Sequence, residues 1–405
     1  MADVAMTRQV DRAVDLVFAE QAAKGTLPSA SSPGGIRFPF STHNNIAINQ
    51  TRIGDPRNRK NGMTGASKLG RTGYQMTGVQ GPLMVNAYDP LFEGAQRESF
   101  TAQATITQAE ISQLQSMTTG GLATFSASPI SAGVRVGQWH LYASGLDAAD
   151  RVPILVTGVT ATTIQYALPR HGNFTAVGSA TDFSLAVKKN EIIAVERWPF
   201  AIEDRSDNTD ESEVLDFALI SQMVWAGQGQ GPVNLTFDFL AAALQKLEAG
   251  NAPYFTAISE TSGEFLTTVE TRLNVGGVWV NFESFSFTWN LNAFVDNTNA
   301  AEAIDIAYGS TIISGNFTVL DDSDSLDMLD DALADEYSWV AVESIDAEGK
   351  FVGAFFPRVK LLQPSRSSKG EDRFSSRTFQ MEVSEDTRGG AYVNTMALIS
   401  SDTAA

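Results

Sequence analysis

Cysteine is absent from this 405-residue chain, so no disulfide can staple any part of it, and folding in a reducing compartment is the natural expectation. Histidine is scarce: His43, His140 and His171 are the only three, and none has a second ligand at metal spacing. No apolar run approaches the roughly 18 residues that would suggest a membrane span. The segment Met1–Lys24 carries Arg8, Asp11, Arg12 and Asp15 among its apolar residues, unlike the unbroken core of a secretory signal. No membrane partner and no targeting segment are therefore expected. Phosphate loops, nucleophile elbows and dinucleotide fingerprints are also missing, so the reading is of no enzyme, no catalytic residues, no metal and no cofactor.

Basic charge is in deficit. The chain has 28 Lys and Arg against 47 Asp and Glu, a net charge of −19, with the acids concentrated after residue 200. Proteins that grip nucleic acid are normally basic, because Lys and Arg neutralise the phosphates, so tight DNA binding is disfavoured. The same balance suits a surface that lets DNA pass without holding it, its field reaching about a Debye length, ~8–10 Å at physiological salt.

What is present reads as mainly β. From Phe285 to Leu291, Phe285, Phe287, Trp289 and Leu291 alternate with Ser286, Thr288 and Asn290, the pattern of a half-buried strand. Thr311–Leu320 makes a second strand, and Asp321–Leu333 then turns helical, with Leu326, Leu329 and Leu333 on one face above an acidic first turn. Upstream, residues 3–23 predict an amphipathic helix, and Ser29–Gly35 breaks it, giving an N-terminal arm over 1–35. Arg52–Arg71 holds six basic residues and a single acid among Gly and Asn, which predicts a long exposed loop. Tyr74–Val85 is strand-like, and Asp89-Pro90 predicts a helix start with Asp89 as cap. Short β-type runs at Gln138–Tyr142, Pro153–Val159 and Thr163–Leu168 predict an all-β module inserted over 100–187.

The two halves repeat an order of parts. The second runs strand, acidic loop, strand at Ser314–Val319, helix, strand at Trp339–Glu343, partner at Phe351–Leu362, polar loop, and last strand Phe374–Val383. The first runs strand, basic loop, strand near Thr77–Val85, helix at Asp89–Gln96, insertion, strand at Ile192–Glu196, partner at Val214–Trp225, Gly-rich loop, and last strand Val233–Leu240. This predicts a first domain from 36–99 and 188–250, a second from 251–395, and a C-terminal tail from 396–405.

Gly315-Asn-Phe-Thr-Val319, the acidic helix after it, Phe356-Pro-Arg-Val-Lys360 and the strand Arg377-Thr-Phe-Gln-Met-Glu382 resemble the C-terminal half of tail tube (major tail) proteins of long-tailed, non-contractile bacteriophages. The segments Val136-Gly-Gln-Trp139 and Val156-Thr-Gly-Val-Thr160 look like the β module that many members carry in mid-chain. The resemblance implies two tandem antiparallel β-sandwich domains, each with a short flanking helix, whose sheets join between subunits around a pore. It implies a structural virion protein assembled in the host cytoplasm, located in the virion tail, and serving as the conduit for DNA ejection. Its partners would be itself, the tape measure protein, tail-end proteins and DNA in transit. With two domains per chain, three chains would close a ring of six; six chains is the alternative.

Asp321–Asp327 superficially looks like a calcium loop but lacks the glycine at its sixth position and the closing glutamate at its twelfth. The basic residues Arg52, Arg57, Arg59, Lys60, Lys68 and Arg71 have Asp296, Glu302 and Asp305 on the equivalent loop of the second half. Opposite charge predicts docking between neighbouring domains, subunits or stacked rings. The polar face of Ser284, Ser286, Thr288 and Asn290 is the expected pore wall. A second reading is a receptor- or carbohydrate-binding virion protein that uses the inserted module through Trp139 and Tyr142.

Overall fold

The computed structural model describes residues 14–42, 44–55, 67–100, 104–107, 114–117, 121–142, 153–167, 182–185, 187–190, 197–206, 211–248, 250–261, 263–296, 298–346, 350–367, 374–385 and 394–399. The protein is mainly β, with two helices among the described residues. The first half comprises β1 (Val14–Glu20), β2 (Gly35–Arg37), β3 (Ala47–Ile53), β4 (Lys68–Pro82) and α1 (Asp89–Gln96). A module follows, of β5 (Ala104–Thr107), β6 (Leu114–Met117), β7 (Leu122–Phe125), β8 (Trp139–Tyr142), β9 (Pro153–Val159), β10 (Thr163–Ala167) and β11 (Asp182–Leu185). The chain then returns through β12 (Val187–Asn190), β13 (Phe200–Ser206), β14 (Glu211–Gln228) and β15 (Asn234–Glu248). The second half begins with β16 (Ile258–Ser259), β17 (Thr271–Val275), β18 (Val278–Val280), β19 (Phe282–Asn290), β20 (Phe294–Val295), β21 (Ile306–Ala307) and β22 (Ile312–Leu320). It ends with α2 (Ser323–Ala334), β23 (Tyr337–Ile345), β24 (Phe351–Ser367), β25 (Ser376–Val383) and β26 (Asn394–Ile399).

One pairing scheme occurs twice. In the first half β1 pairs with β2 and β13, β13 with β14, β14 with β15, β15 with β4, and β4 with β3. In the second, β17 pairs with β18 and β23, β23 with β24, β24 with β25, β25 with β22, and β22 with β19. The registers agree in detail. Bulges interrupt β13 at Phe200/Ile202 and β23 at Ser338/Val340. The outer hairpin pairs Arg52↔Leu69 and Ile53↔Lys68 recur as Phe294↔Ala307 and Val295↔Ile306. The interval from strand end to left-handed helix cap is the same in both, Pro82 to Arg97 and Leu320 to Asp335.

Long strands carry the chain between layers of pairing. The N-terminal part of β14 pairs with β13, and after a bulge at Ile220/Gln222 its C-terminal part pairs with β19. Over Val214–Ile220 the strand is buried throughout, a continuous apolar run with Asp216 the exception. Beyond the bulge it alternates, Met223 and Trp225 inward and Gln222, Val224 and Ala226 half-buried. The main core runs through both halves and includes Phe237, Trp225, Phe287, Trp289, Phe356 and Phe379. Phe287 and Trp289 each pack on Phe356, with ring centroids 5.3 and 5.5 Å apart.

Several expectations are corrected. Residues 14–20 form a strand rather than part of a helical arm, because Leu16 and Phe18 face the main core while Val17 and Ala19 face a second cluster with Phe255. Two-sided burial erases the period that separates strand from helix. Arg52 and Lys68–Arg71 lie in strands rather than in the expected loop, and residues 56–66 fall outside the described residues. The strand expected at Ile192–Glu196 falls outside the described residues, and β13 occupies the position equivalent to β23. Residues 396–399, expected in a tail, belong to β26, which pairs with β24 and β12. Tyr88, not Asp89, takes the α1 cap position, its side chain drawn into the core with the hydroxyl donating to Pro82 O at 2.8 Å.

The helix α2 is capped as its sequence demands. Asp322 accepts from Ser325 N at 3.0 Å, and the Ser325 hydroxyl accepts from Asp322 N, closing a capping box. Its buried residues are Ser325 and Met328, however, and Leu326 and Leu333 are 51% and 73% exposed. Of the leucine face read from the sequence, Leu326 and Leu333 look outward and Leu329 is half-buried.

Candidate assembly surfaces

The junction between the halves is a strand pairing. β14 meets β19 antiparallel from Gln222↔Asn290 to Gln228↔Ser284. A row of antiparallel strands therefore runs β3, β4, β15, β14, β19, β22, β25 and the C-terminal part of β24. Among the described residues the outer edge of β3 has no strand partner, and neither does β24 beyond Lys360 on the side that β23 occupies. Both edges are exposed, β3 along most of its length and β24 at Ser365–Ser367. They occupy the positions equivalent to β19 and β14, which pair inside the chain.

Ser284, Ser286 and Thr288 lie half-buried on the face of β19 opposite its aromatic residues, and Asn290 is exposed. Their cross-strand neighbours are Gln228, Ala226, Val224 and Gln222 on β14 and Thr318, Asn316, Ser314 and Ile312 on β22. These positions are uncharged across the three strands and mostly polar, with Val224, Ala226 and the exposed Ile312 the apolar exceptions. The alternation visible in the sequence is realised residue by residue.

The charged set divides. Arg57, Arg59 and Lys60 lie outside the described residues. Arg52 and Lys68 are exposed on the β3–β4 hairpin. Arg71 instead turns onto the second half of its own chain, its Nη2 2.7 Å from Asp296 Oδ1 and its Nη1 donating to Asp296 O. Glu302 accepts from the Tyr74 hydroxyl at 2.8 Å, and Asp305 pairs with Arg197 at 2.6 Å. The backbone joins in, Thr72 N donating to Ala301 O at 2.9 Å. The acids of the second-half loop are therefore engaged by the first half of the same chain. The Thr298 hydroxyl, with the Asp305 amide and Arg71 behind it, holds the Asp296 carboxyl well below the usual carboxylate range, against the opposing effect of burial. Burial and the Glu302 carboxylate push the Tyr74 phenol up to about 12.

Arg97 and Arg197 complete this seam and were not singled out from the sequence. Arg97, the cap of α1, lies with its guanidinium 4.8 Å from the Tyr308 ring centroid and reaches Thr311 Oγ1 at 3.4 Å. The equal interval from strand end to cap makes Arg97 the counterpart of Asp335, but its contact with the β19–β22 loop has no local signal.

The inserted module does not stand free. Its sheet runs β5-β11-β8-β9-β10-β7-β6, and Trp139 packs with Leu155 against Ala341, Ile345, Phe351 and Phe355 of the second half. Trp139 is fully buried, its ring 4.8 Å from that of Phe351, so it offers no face to a carbohydrate or receptor. The Tyr142 side chain lies outside the described residues. His140 is also fully buried, and burial lowers its pKa to about 3, keeping the ring neutral. His43 and His171 lie outside the described residues. Asp321, expected to favour a helix start, is held instead by Arg377 at 2.8 Å and by Arg366. Neither protein-family models nor curated proteins compared with the chain match it.

Proposed function

We propose that the protein is a self-assembling structural subunit of a bacteriophage tail tube, built from two tandem tube-type β-sandwich domains that join head to tail with further copies into rings. The single observation that carries the reading is the β14–β19 junction inside a duplicated unit. Each half ends in a strand edge that the next half completes, and the chain as a whole leaves one such edge at each extreme, β3 and the end of β24. An edge that repeats its own internal junction is heterologous, and such contacts close into rings when the rotation per unit divides a full turn. Closure also removes exposed edges, which otherwise invite aggregation. Three chains would supply six equivalent units, and stacked rings would form a conduit for DNA, enclosing the tape measure protein during assembly.

The polar face of Ser284, Ser286, Thr288 and Asn290 supports a lumen wall through which DNA moves without specific attachment, since this part of the sheet presents hydroxyls and amides rather than cations. Negative-stain microscopy of the purified chain, with the mass of isolated rings, tests the reading. Stacked rings of three times the 43.5 kDa chain mass are expected. A chain that stays monomeric at high concentration and across salt conditions would refute it.

A further inference from the structure

The first helix is covered by its own chain, and the second is not. The loop between β19 and β22 packs onto the first half: Tyr308 and Ile306 are buried in the main core, and Arg97, the α1 cap, reaches Tyr308, Gly309 O and Thr311. At the equivalent place on the second half stand α2 and its cap Asp335. There Leu333 is 73% exposed and Leu326 51%, whereas Ala95, which holds the position of Leu333 on α1, is fully buried. The segment equivalent to the covering loop is the β3–β4 hairpin, described over residues 49–55 and 67–73 and matched to it by the two pairs Arg52↔Leu69 and Ile53↔Lys68. That hairpin exposes Ile53 and Leu69, at 61% and 55%.

We propose that the β3–β4 hairpin of a second copy of this chain docks on α2, repeating between chains the cover that the β19–β22 loop gives α1 within one chain. The charges have exchanged sides in the manner this requires. Inside the chain a basic cap, Arg97, meets the loop that bears Asp296, Glu302 and Asp305; between chains an acidic cap, Asp335, meets a hairpin that bears Arg52 and Lys68. Along α2, Asp324, Asp327, Asp330 and Asp331 add negative charge, while Lys360 offsets one carboxylate by pairing with Asp335 at 2.6 Å. Apolar contact between Leu333 and Leu69, which lies across from Arg52 on one face of the hairpin while Ile53 and Lys68 take the other, provides the desolvated centre, and the surrounding charges fix orientation and exclude the like-charged alternatives. The same logic keeps helix and hairpin of one chain from substituting for each other, because the two halves carry opposite signs at equivalent positions.

This inference rests on the assembly proposed above, so its test separates the two. Arg52→Glu with Lys68→Glu should raise the concentration for half-assembly about tenfold, a factor worth ~1.4 kcal/mol. Adding Asp331→Lys and Asp335→Lys to the same chain should restore assembly to within about threefold of the unmodified chain, because the attraction is re-formed with signs reversed. Arg52, Lys68 and Asp335 are exposed and Asp331 is half-buried, and circular dichroism confirms that each variant folds. As a second measurement, the chain has no cysteine of its own, so Leu69→Cys and Asp335→Cys introduced together and treated with a short bis-maleimide should give a ladder of covalent oligomers. Each single-cysteine variant should give none. Rings that assemble normally despite both charge reversals, without a cross-linked ladder, overturn the docking and leave the assembly standing. An unmodified chain that never associates overturns both.

Discussion

Replacing Trp139 by Ala should uncouple the inserted module from the second half. The indole is fully buried among Leu155 of the module and Ala341, Ile345, Phe351 and Phe355 of β23 and β24, with Val136 and Ala167 of the module and Trp339 packed at the margin. The opposing wall has no slack to fill the space. At Gly353 a Cβ would lie 3.1 Å from Trp139 Cζ2 and 2.3 Å from Phe351 Cζ, so the glycine is what lets the rings approach. Burying a ring of this size and then deleting it leaves a cavity, and Trp→Ala changes in cores cost about 3–5 kcal/mol. Among the described residues the indole N–H has no acceptor, so Trp139→Phe removes an unsatisfied donor along with some volume and should cost less than half as much. Urea unfolding followed by far-ultraviolet circular dichroism, with limited proteolysis below the transition, measures both effects. The Ala variant should show an added early transition and cleavage within residues 100–190, as the module loosens while the main core holds. Gly353→Ala should give the same pattern from the opposite side of the contact. A loss below about 1 kcal/mol for Trp139→Ala, with unchanged proteolysis, would refute the docking of the module through this ring.

Asp89, pushed up to about 6 by burial and by the neighbouring Glu93, binds its proton more tightly folded than unfolded. Stability should therefore be highest below pH ~4 and fall as pH rises through about 6, by on the order of 3 kcal/mol for this group alone. Asp89→Asn should raise the Tm at pH 7 and leave it nearly unchanged at pH 4, and equal shifts at both would contradict the assignment. Glu203, fully buried, accepts from the amides of Tyr254 at 2.6 Å and Phe255 at 3.0 Å, tying the start of the second half to β13. Glu203→Ala strands two buried donors and should cost about 2–4 kcal/mol by denaturant titration; a change within error would show that water replaces the carboxylate. In assembled particles, Ser286→Lys with Thr288→Lys should slow DNA release measured by dye uptake, if that face lines the lumen, because each phosphate passing it gains a counter-charge. Unchanged release kinetics would place the face elsewhere.

In the second half β19, β22 and β25 were legible because they are buried mainly on one side. Along β19 the aromatic residues face the core and the hydroxyls face out, so the period of two survives into the sequence. The start of α2 was legible only as an acidic first turn; its capping box, Asp322 with Ser325 three residues on, was not singled out. The repeat was legible as an order of parts, and its finest proof, the recurrence of Arg52↔Leu69 as Phe294↔Ala307, needed strand register. The face that α2 buries was not legible, because the leucine spacing identifies an apolar stripe and not what covers it.

The sequence by itself determined the strand-rich character of the chain, the opposite charges of the two equivalent loops, the absence of disulfide cross-links and the acidic first turn of α2. These depend on composition and on intervals of a few residues. Only the tertiary structure decided that Leu16–Ala19 is a strand, since burial on both faces leaves no period to read, and that Trp139 is a docking residue rather than an exposed ring. It also decided that Arg71 meets Asp296 within one chain, joining the halves at positions far apart in sequence. Such contacts follow from which strand edges pair, and edge pairing is a long-range property that no local interval encodes.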